Sequence, residues 1–171
     1  MALVGMERLD RRACEALAAR LPGGAPCFVS DRHDMFELVA ILRQASWLVS
    51  SRYHALVCSA GAGVPALGVS MDERIENLLA GRGQAGLCHP VDAPDLEDRL
   101  TQGLAALAAD AEPVRAGILG AIPRELEALG RMGMVFEDEL LRRYPGFPRR
   151  DGPREWRRYL PPLSPGLEAL L

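Results

Sequence analysis

The sequence predicts an α/β protein with a Rossmann-like parallel sheet flanked by helices, followed by C-terminal helices and an extended tail. Three observations predict this fold. Short apolar runs alternate with stretches of helical periodicity through the first two thirds of the chain. The runs are almost continuously apolar, which is typical of strands buried on both faces of a parallel sheet. A helical pattern lies between each run and the next, and parallel strands require such crossover connections.

Five short apolar runs are the predicted strands. Each is bounded by turn residues or by the start of a helical pattern. They are ALVG (2–5), PCFVS (26–30), WLVSS (47–51), VPALGVS (64–70) and GLCHPV (86–91).

The helices between these strands follow from apolar spacing and from capping residues. Asp34 and Glu37 stand at capping-box spacing before one of them, and Asp95 is placed to cap another. The predicted helices cover residues 7–21, 34–45, 53–63, 73–83 and 96–109.

The last third of the chain lacks strand patterns. From about residue 113 the pattern is helical only, and we expect Pro123 at the first turn of a helix. Residues 144–171 hold six of the thirteen prolines and predict an extended, docked tail. We therefore predict a Rossmann-like domain with C-terminal helices over residues 1–143 and a Pro/Arg-rich docking tail over 144–171.

Composition excludes several classes of function. The net charge is −3, so no global basic field favours nucleic acid as a partner. All twenty basic residues are Arg, which excludes a Schiff-base Lys and a P-loop Lys. The four cysteines lack CxxC spacing, so we expect buried free thiols and no metal site. The N-terminus lacks the pattern of a signal peptide, and we expect a cytoplasmic protein.

Polar residues follow the predicted strands at the edge where open parallel sheets bind ligands. All three histidines fall at such positions and are expected to share that edge. Arg52 and His54 stand where the third strand turns directly into a helix. The start of that helix offers unpaired N–H groups, and the guanidinium suits a carboxylate or phosphate. This arrangement predicts an anion site, with His54 placed for proton transfer.

Two other features have simpler interpretations. Ser51 and Asp72 also fit as helix N-caps, because polar residues commonly follow strands. The C-terminal arginines alternate with Phe147, Trp156 and Tyr159, which is compatible with an acidic membrane or a nucleic acid. We favour a tail that packs these aromatic side chains on its own or a neighbouring domain.

The segment from residue 48 to 79 resembles the polysaccharide pyruvyl transferase family. The family pattern is an apolar strand, S-R-x-H-A, a small-residue helix, G-V-P, a second strand and then Asp-x-Lys. Here these positions read SRYHA (51–55), GVP (63–65) and DER (72–74). Arg74 replaces the usual Lys, which keeps the charge but changes the geometry. The match covers roughly residues 34 to 100.

The resemblance implies a specific chemistry. Family members are two-domain GT-B-type transferases that move pyruvate, as a ketal, from phosphoenolpyruvate to a sugar of a surface polysaccharide. Carried over by position, His54 is the acid/base catalyst, and Arg52 grips the donor, with Ser51, Asp72 and Arg74 as further substrate-binding residues. No cofactor is implied beyond the donor substrate. The acceptor is a glycan or lipid-linked sugar, which implies peripheral association with the inner face of the membrane.

The resemblance also implies a second Rossmann-like half ahead of this one. We expect that half to come from further chain or from another subunit, including a homo-oligomer, and the isolated half to be inactive in turnover. Two other functions stay open from the residues alone. One is a GT-B glycosyltransferase or epimerase that uses a nucleotide-sugar, and the other is a catalytically silent binding or assembly domain.

Overall fold

The computed structural model describes residues 1–149 and 151–171, and it alternates strands and helices as the sequence predicts. Each of the five apolar runs contains one strand. The strands are β1 (Leu3–Gly5), β2 (Cys27–Val29), β3 (Leu48–Ser50), β4 (Ala66–Ser70) and β5 (Cys88–Pro90). The helices are α1 (Arg11–Arg20), α2 (Met35–Leu42), α3 (Tyr53–Ala60), α4 (Glu73–Gly81), α5 (Leu96–Ala109), α6 (Glu112–Arg143) and α7 (Pro165–Glu168).

All strand pairs are parallel, but they form two small sheets rather than the single predicted sheet. One sheet has the order β1-β2, and the other has the order β3-β4-β5. The strands β1 and β3, at the edges of the two sheets, have only three residues each and are not joined by backbone hydrogen bonds. Their side chains Val4 and Leu48 instead pack on the same apolar cluster. The class is therefore α/β with parallel strands flanked by helices.

Two apolar clusters form the core around these sheets. The first joins the sheets through α2 and α3, and the second packs α3 and α4 on β4. Leu48 contacts both clusters. The buried members are Met6, Leu38, Leu42 and Ala55 in the first, and Leu56, Ala66, Ile75 and Leu79 in the second. Full burial of a Leu or Ile side chain contributes about 1.5–3 kcal/mol to folding.

Local capping places α2 and α4 where the sequence predicts them. Asp34 and Glu37 form both bonds of a capping box: the Glu37 N–H donates to Asp34 at 2.9 Å, and the Asp34 N–H donates to Glu37 at 3.0 Å. Asp72 caps α4 by accepting the Arg74 N–H at 3.0 Å. Asp95 precedes α5 without such a bond and instead accepts Nε–H of Arg99 at 2.8 Å.

The last long helix differs from the prediction. Pro123 lies in the interior of α6 rather than in a first turn. The helix starts earlier because Asp110 accepts the N–H of Glu112 at 3.1 Å, and the proline of its first turn is Pro113. An interior proline lacks an N–H and crowds the carbonyl four residues back, here that of Leu119.

The chain divides into two compact units, Met1–Ile118 and Leu119–Leu171. The sequence predicted a division at 143/144. The boundary lies within α6 because the tail packs on the second part of that helix and forms one unit with it. Trp156 lies against Gly130, and Tyr159 lies against Gly133.

The tail packs on the later part of α6, and it is not extended throughout. It includes a 3-10 turn at Trp156–Tyr159 and the short helix α7. The Tyr159 hydroxyl donates to Glu137, and Arg154 pairs with Asp138. The aromatic side chains Trp156 and Tyr159 therefore pack on their own unit. In the described ranges no helix has the length and apolar character needed to cross a membrane.

Candidate functional site

One cleft of the first unit collects the residues that the sequence singled out. Its volume is about 400 Å³, including the solvent at its open mouth. It lies beyond the carboxyl ends of β3 and β4 and beside β1. Its lining includes all five predicted site residues, Ser51, Arg52, His54, Asp72 and Arg74, together with Glu7, Tyr53, Met71 and Ile75.

The turn from β3 into α3 aims Arg52 toward β1. Arg52 is the N-cap residue of α3, with an extended backbone and no side-chain cap. The hydroxyl of Ser50 holds this turn: it accepts the Arg52 N–H at 3.0 Å and donates to the Arg52 carbonyl at 3.2 Å. Ser50 is buried, whereas Ser51 is exposed. Ser50 therefore stabilises the turn, and Ser51 presents its hydroxyl at the cleft.

Arg52 is already paired with carboxylates of its own chain. Its Nε donates to Asp10 Oδ1 at 3.1 Å, and its Nη2 forms a second, shorter bond to the same oxygen. Its Nη1 lies 3.4 Å from Glu7 Oε2. The hydrogen bond to Asp10 is the main cause of a raised pKa for Arg52, and the charges of Asp10 and Glu7 add to it against partial burial. Arg52 therefore bridges the loops that follow β1 and β3.

The second guanidinium of the cleft is paired as well. Arg74 Nε lies 3.1 Å from each Asp72 oxygen, and Nη2 lies 2.6 Å from Oδ2. These bonds lower the pKa of Asp72 and raise that of Arg74. The guanidinium also lies 6.0 Å from the centre of the Tyr53 ring, whose edge contacts His54 at 5.7 Å between ring centres. Asp72 thus caps α4 and orients Arg74 at once.

The formal charge of the cleft is not positive. The lining holds two guanidiniums, Arg52 and Arg74, and two carboxylates, Glu7 and Asp72, whose charges cancel. Asp10, which pairs with Arg52 but does not line the cleft, brings the sum to −1. An arriving anion would therefore compete with these carboxylates for the guanidiniums. Glu7 is the weaker partner of Arg52, because its contact with Nη1 is 3.4 Å long and its side chain is 52% exposed, against 16% for Asp10. The exchangeable position is the Nη1 edge of Arg52.

The three histidines do not converge, contrary to the sequence-based expectation. Only His54 lines the cleft, where it is exposed. His33 lies 3.5 Å from Glu37 on α2. His89 is buried in β5, and its Nδ1 finds no hydrogen-bond partner among the described residues. Burial lowers the pKa of His89, with a further contribution from the charge of Arg99. His33 and His54 follow strands of different sheets, and His89 lies within β5.

Sequence reasoning missed Asp10 and gave Glu7 no role. Glu7 follows the first strand and was visible as one of several polar residues there. Asp10 is 42 residues from Arg52 in the chain and falls within a predicted helix, so no local signal joins the two. In the structure a 3-10 turn at Arg8–Asp10 precedes α1 and presents Asp10, which also accepts the Glu7 N–H at 3.0 Å.

The remaining reactive groups lie apart from this cleft. All four cysteines are free and half-buried, and burial raises the pKa of Cys14 and Cys88. Within residues 1–149 and 151–171, no group of three His, Cys, Asp or Glu side chains is arranged to hold a metal ion.

Comparison of the chain with protein-family models, with curated proteins and with solved structures found no match.

Proposed function

We propose that the cleft binds phosphoenolpyruvate and that the chain is the donor-binding half of a polysaccharide pyruvyl transferase. One observation carries the proposal: the side chains of the SRYHA and DER segments, from two different loops, line a single cleft. The resemblance to the family supplies the substrate, and the cleft supplies residue types that suit an anionic ligand.

The carboxylate of the donor replaces Glu7 as a partner of Arg52. Asp10 stays on the Nε side and keeps the guanidinium in position, while the Nη1 edge turns to the ligand. Arg74 lies across the cleft and supplies the second cation for the phosphate. Such paired cations are what a donor with two anionic groups requires.

His54 serves the proton transfers of the reaction. The two acceptor hydroxyls each form a C–O bond to the enol carbon, and the bond from that carbon to the phosphate oxygen breaks. One hydroxyl proton goes to the methylene carbon, which becomes a methyl group, and the other leaves with the phosphate. His54 either protonates the methylene carbon or accepts a hydroxyl proton, and its exposure at the cleft suits both roles. The finer architecture that we propose is one half of a GT-B fold. The protein acts in the cytoplasm at the inner face of the membrane, and its acceptor is a glycan or a lipid-linked sugar.

Calorimetric titration of the chain with phosphoenolpyruvate, with UDP as competitor, tests the proposal. We expect saturable binding that Arg52→Ala reduces at least ~tenfold, since an ionic hydrogen bond is worth about 1.5–3 kcal/mol. Arg99→Ala removes an exposed Arg–Asp pair outside the cleft and is the matched control. Unaltered binding in Arg52→Ala would contradict the proposal, and preferential binding of UDP would favour a nucleotide-sugar enzyme.

In the same titration, we expect Glu7→Gln to change the affinity for phosphoenolpyruvate in the opposite direction to Arg52→Ala. Removal of the exposed carboxylate frees the Nη1 edge and lowers the negative charge of the cleft, so we expect tighter phosphoenolpyruvate binding, by about two- to fivefold for an exposed pair. Weaker binding in Glu7→Gln would show that Glu7 supports the ligand rather than competing with it.

A catalytically silent domain is the second candidate, and the internal pairing of both guanidiniums favours it. In that case the Arg52–Asp10 pair joins two loops for stability alone. Arg52→Ala would then lower the melting temperature, and neither phosphoenolpyruvate nor UDP would bind the wild-type chain.

A further inference from the structure

The second unit exposes a regular strip of side chains along α6. The strip, here called the outer seam, consists of Glu125, Leu129, Met132, Phe136, Glu139 and Arg143, and all six residues are exposed. Their spacings of four, three, four, three and four residues are those of a heptad seam, the pattern by which one helix packs along another. Leu129, Met132 and Phe136 are 43%, 62% and 64% exposed, and Val135 beside them is 67% exposed.

The tail occupies the neighbouring face of α6. A Cβ at Gly130 would overlap the carbonyl oxygen of Trp156, and a Cβ at Gly133 would lie 2.8 Å from that of Tyr159. The tail therefore packs on two small residues of the helix, and the large apolar residues of the outer seam stay exposed beside it. Several large exposed side chains in one strip are typical of an interaction surface.

The charges of the outer seam are arranged for pairing with a second copy of itself. Glu125 lies at its N-terminal end and Arg143 at its C-terminal end, and the three apolar residues and Glu139 lie between them. In an antiparallel pair the acidic end of one helix meets the basic end of the other. The register that places Glu125 opposite Arg143 also places Met132 opposite Phe136 and Leu129 opposite Glu139, because all three pairs share the same midpoint in the helix.

We propose that the outer seam is a homodimer interface in which two copies of α6 pack antiparallel about a twofold axis. Twofold pairing through one self-complementary patch is the commonest mode of association in soluble proteins. An anionic lipid surface fits less well, because Glu125 and Glu139 lie on the strip itself. Within one copy, Arg143 lies 3.7 Å from Glu139 with both side chains exposed, a weak pair that a partner can replace.

Sedimentation equilibrium of the full chain, with Phe136→Glu and Phe36→Glu, tests the interface. We expect a dimer for the wild type, a monomer for Phe136→Glu and an unchanged dimer for Phe36→Glu. The two phenylalanines are a matched pair, since both are exposed on helices, and Phe36 at 85% lies in the other unit. Circular dichroism establishes that each variant folds, which exposed positions allow. A monomeric wild type, or a dimer that survives Phe136→Glu, would overturn the proposal.

Charge reversal tests the antiparallel register. Arg143→Glu places like charges at both ends of the seam, and we expect it to weaken dimerisation about tenfold, the sum of two small terms. Adding Glu125→Arg to Arg143→Glu restores opposite charges, so dimerisation should recover. Failure of this rescue would overturn the antiparallel arrangement. A monomer that binds phosphatidylglycerol vesicles through the seam would assign the surface to lipid instead.

Discussion

Arg52 and its carboxylate partners have separable roles at the residue scale. The side chain of Asp10 is only 16% exposed and accepts from Arg52 and from the Glu7 N–H, so its removal would leave a half-buried cation without its main partner. Glu7 is more exposed, and its contact with Arg52 is longer. We infer that Asp10 belongs to the stability of the fold, whereas Glu7 controls access to the guanidinium.

The pH dependence of stability should report on His89. Burial lowers its pKa in the folded state, so on acidification the unfolded chain takes up a proton first. The contribution of His89 is thus fully present above its unfolded pKa, ~6.5, and is lost as the pH falls below that value. The positive charge of Arg99 also lowers the pKa of His89, whereas the negative charge of Asp95 raises it.

We expect His89→Leu to flatten the loss of melting temperature between about pH 7 and pH 5. The measurement is thermal unfolding at a series of pH values for both proteins. His33→Leu is the control, because His33 is less buried and lies next to a carboxylate. Parallel curves for the wild type and His89→Leu would refute this assignment.

At the scale of the secondary-structure element, Gly68 in β4 allows α4 to pack closely on that strand. A Cβ at Gly68 would lie 2.5 Å from Ile75 Cγ2 and 2.9 Å from Leu79 Cδ1. Both atoms belong to buried side chains of α4 in the second core cluster, so they cannot withdraw into solvent. The glycine therefore lets α4 lie directly on the strand that carries the loop of Asp72.

Gly68→Ala should destabilise the protein by about 1–3 kcal/mol through overpacking. Gly81→Ala is the control, because that helical glycine has open space around its Cβ position and alanine favours the helix. Urea unfolding compares the two variants. Equal stability of Gly68→Ala and the wild type would mean that α4 shifts freely on β4.

At the scale of the whole molecule, the chain consists of two compact units, and α6 contributes residues to both. The first unit holds the sheets and the cleft, and the second is built from the later part of α6 and the tail. The tail packs on that part of the helix through Trp156 and Tyr159. Close approach at Gly130 and Gly133 fixes where it docks.

Gly130→Ala should detach the tail, since the new methyl group falls on the Trp156 carbonyl, a backbone atom that cannot rotate away. We expect faster cleavage by trypsin at the arginines of the tail, measured by limited proteolysis and mass spectrometry. Gly146→Ala, with open space at its Cβ position, should leave the cleavage rate as it is in the wild type. The same rate in all three proteins would contradict tail docking at this glycine.

The sequence by itself determined the order of strands and helices, the capping box at Asp34 and the loops that carry the five predicted site residues. These features depend on apolar periodicity and on hydrogen bonds between near neighbours, which a linear pattern contains. Only the tertiary structure decided the partners of Arg52, the split of the strands into two sheets and the position of the unit boundary within α6. Asp10 and Arg52 are 42 residues apart, and a pairing over that separation exists only after β1 and β3 have been brought together by the core. The interior position of Pro123 has the same origin, because a cap at Asp110 and packing along α6 outweigh the local preference of one proline.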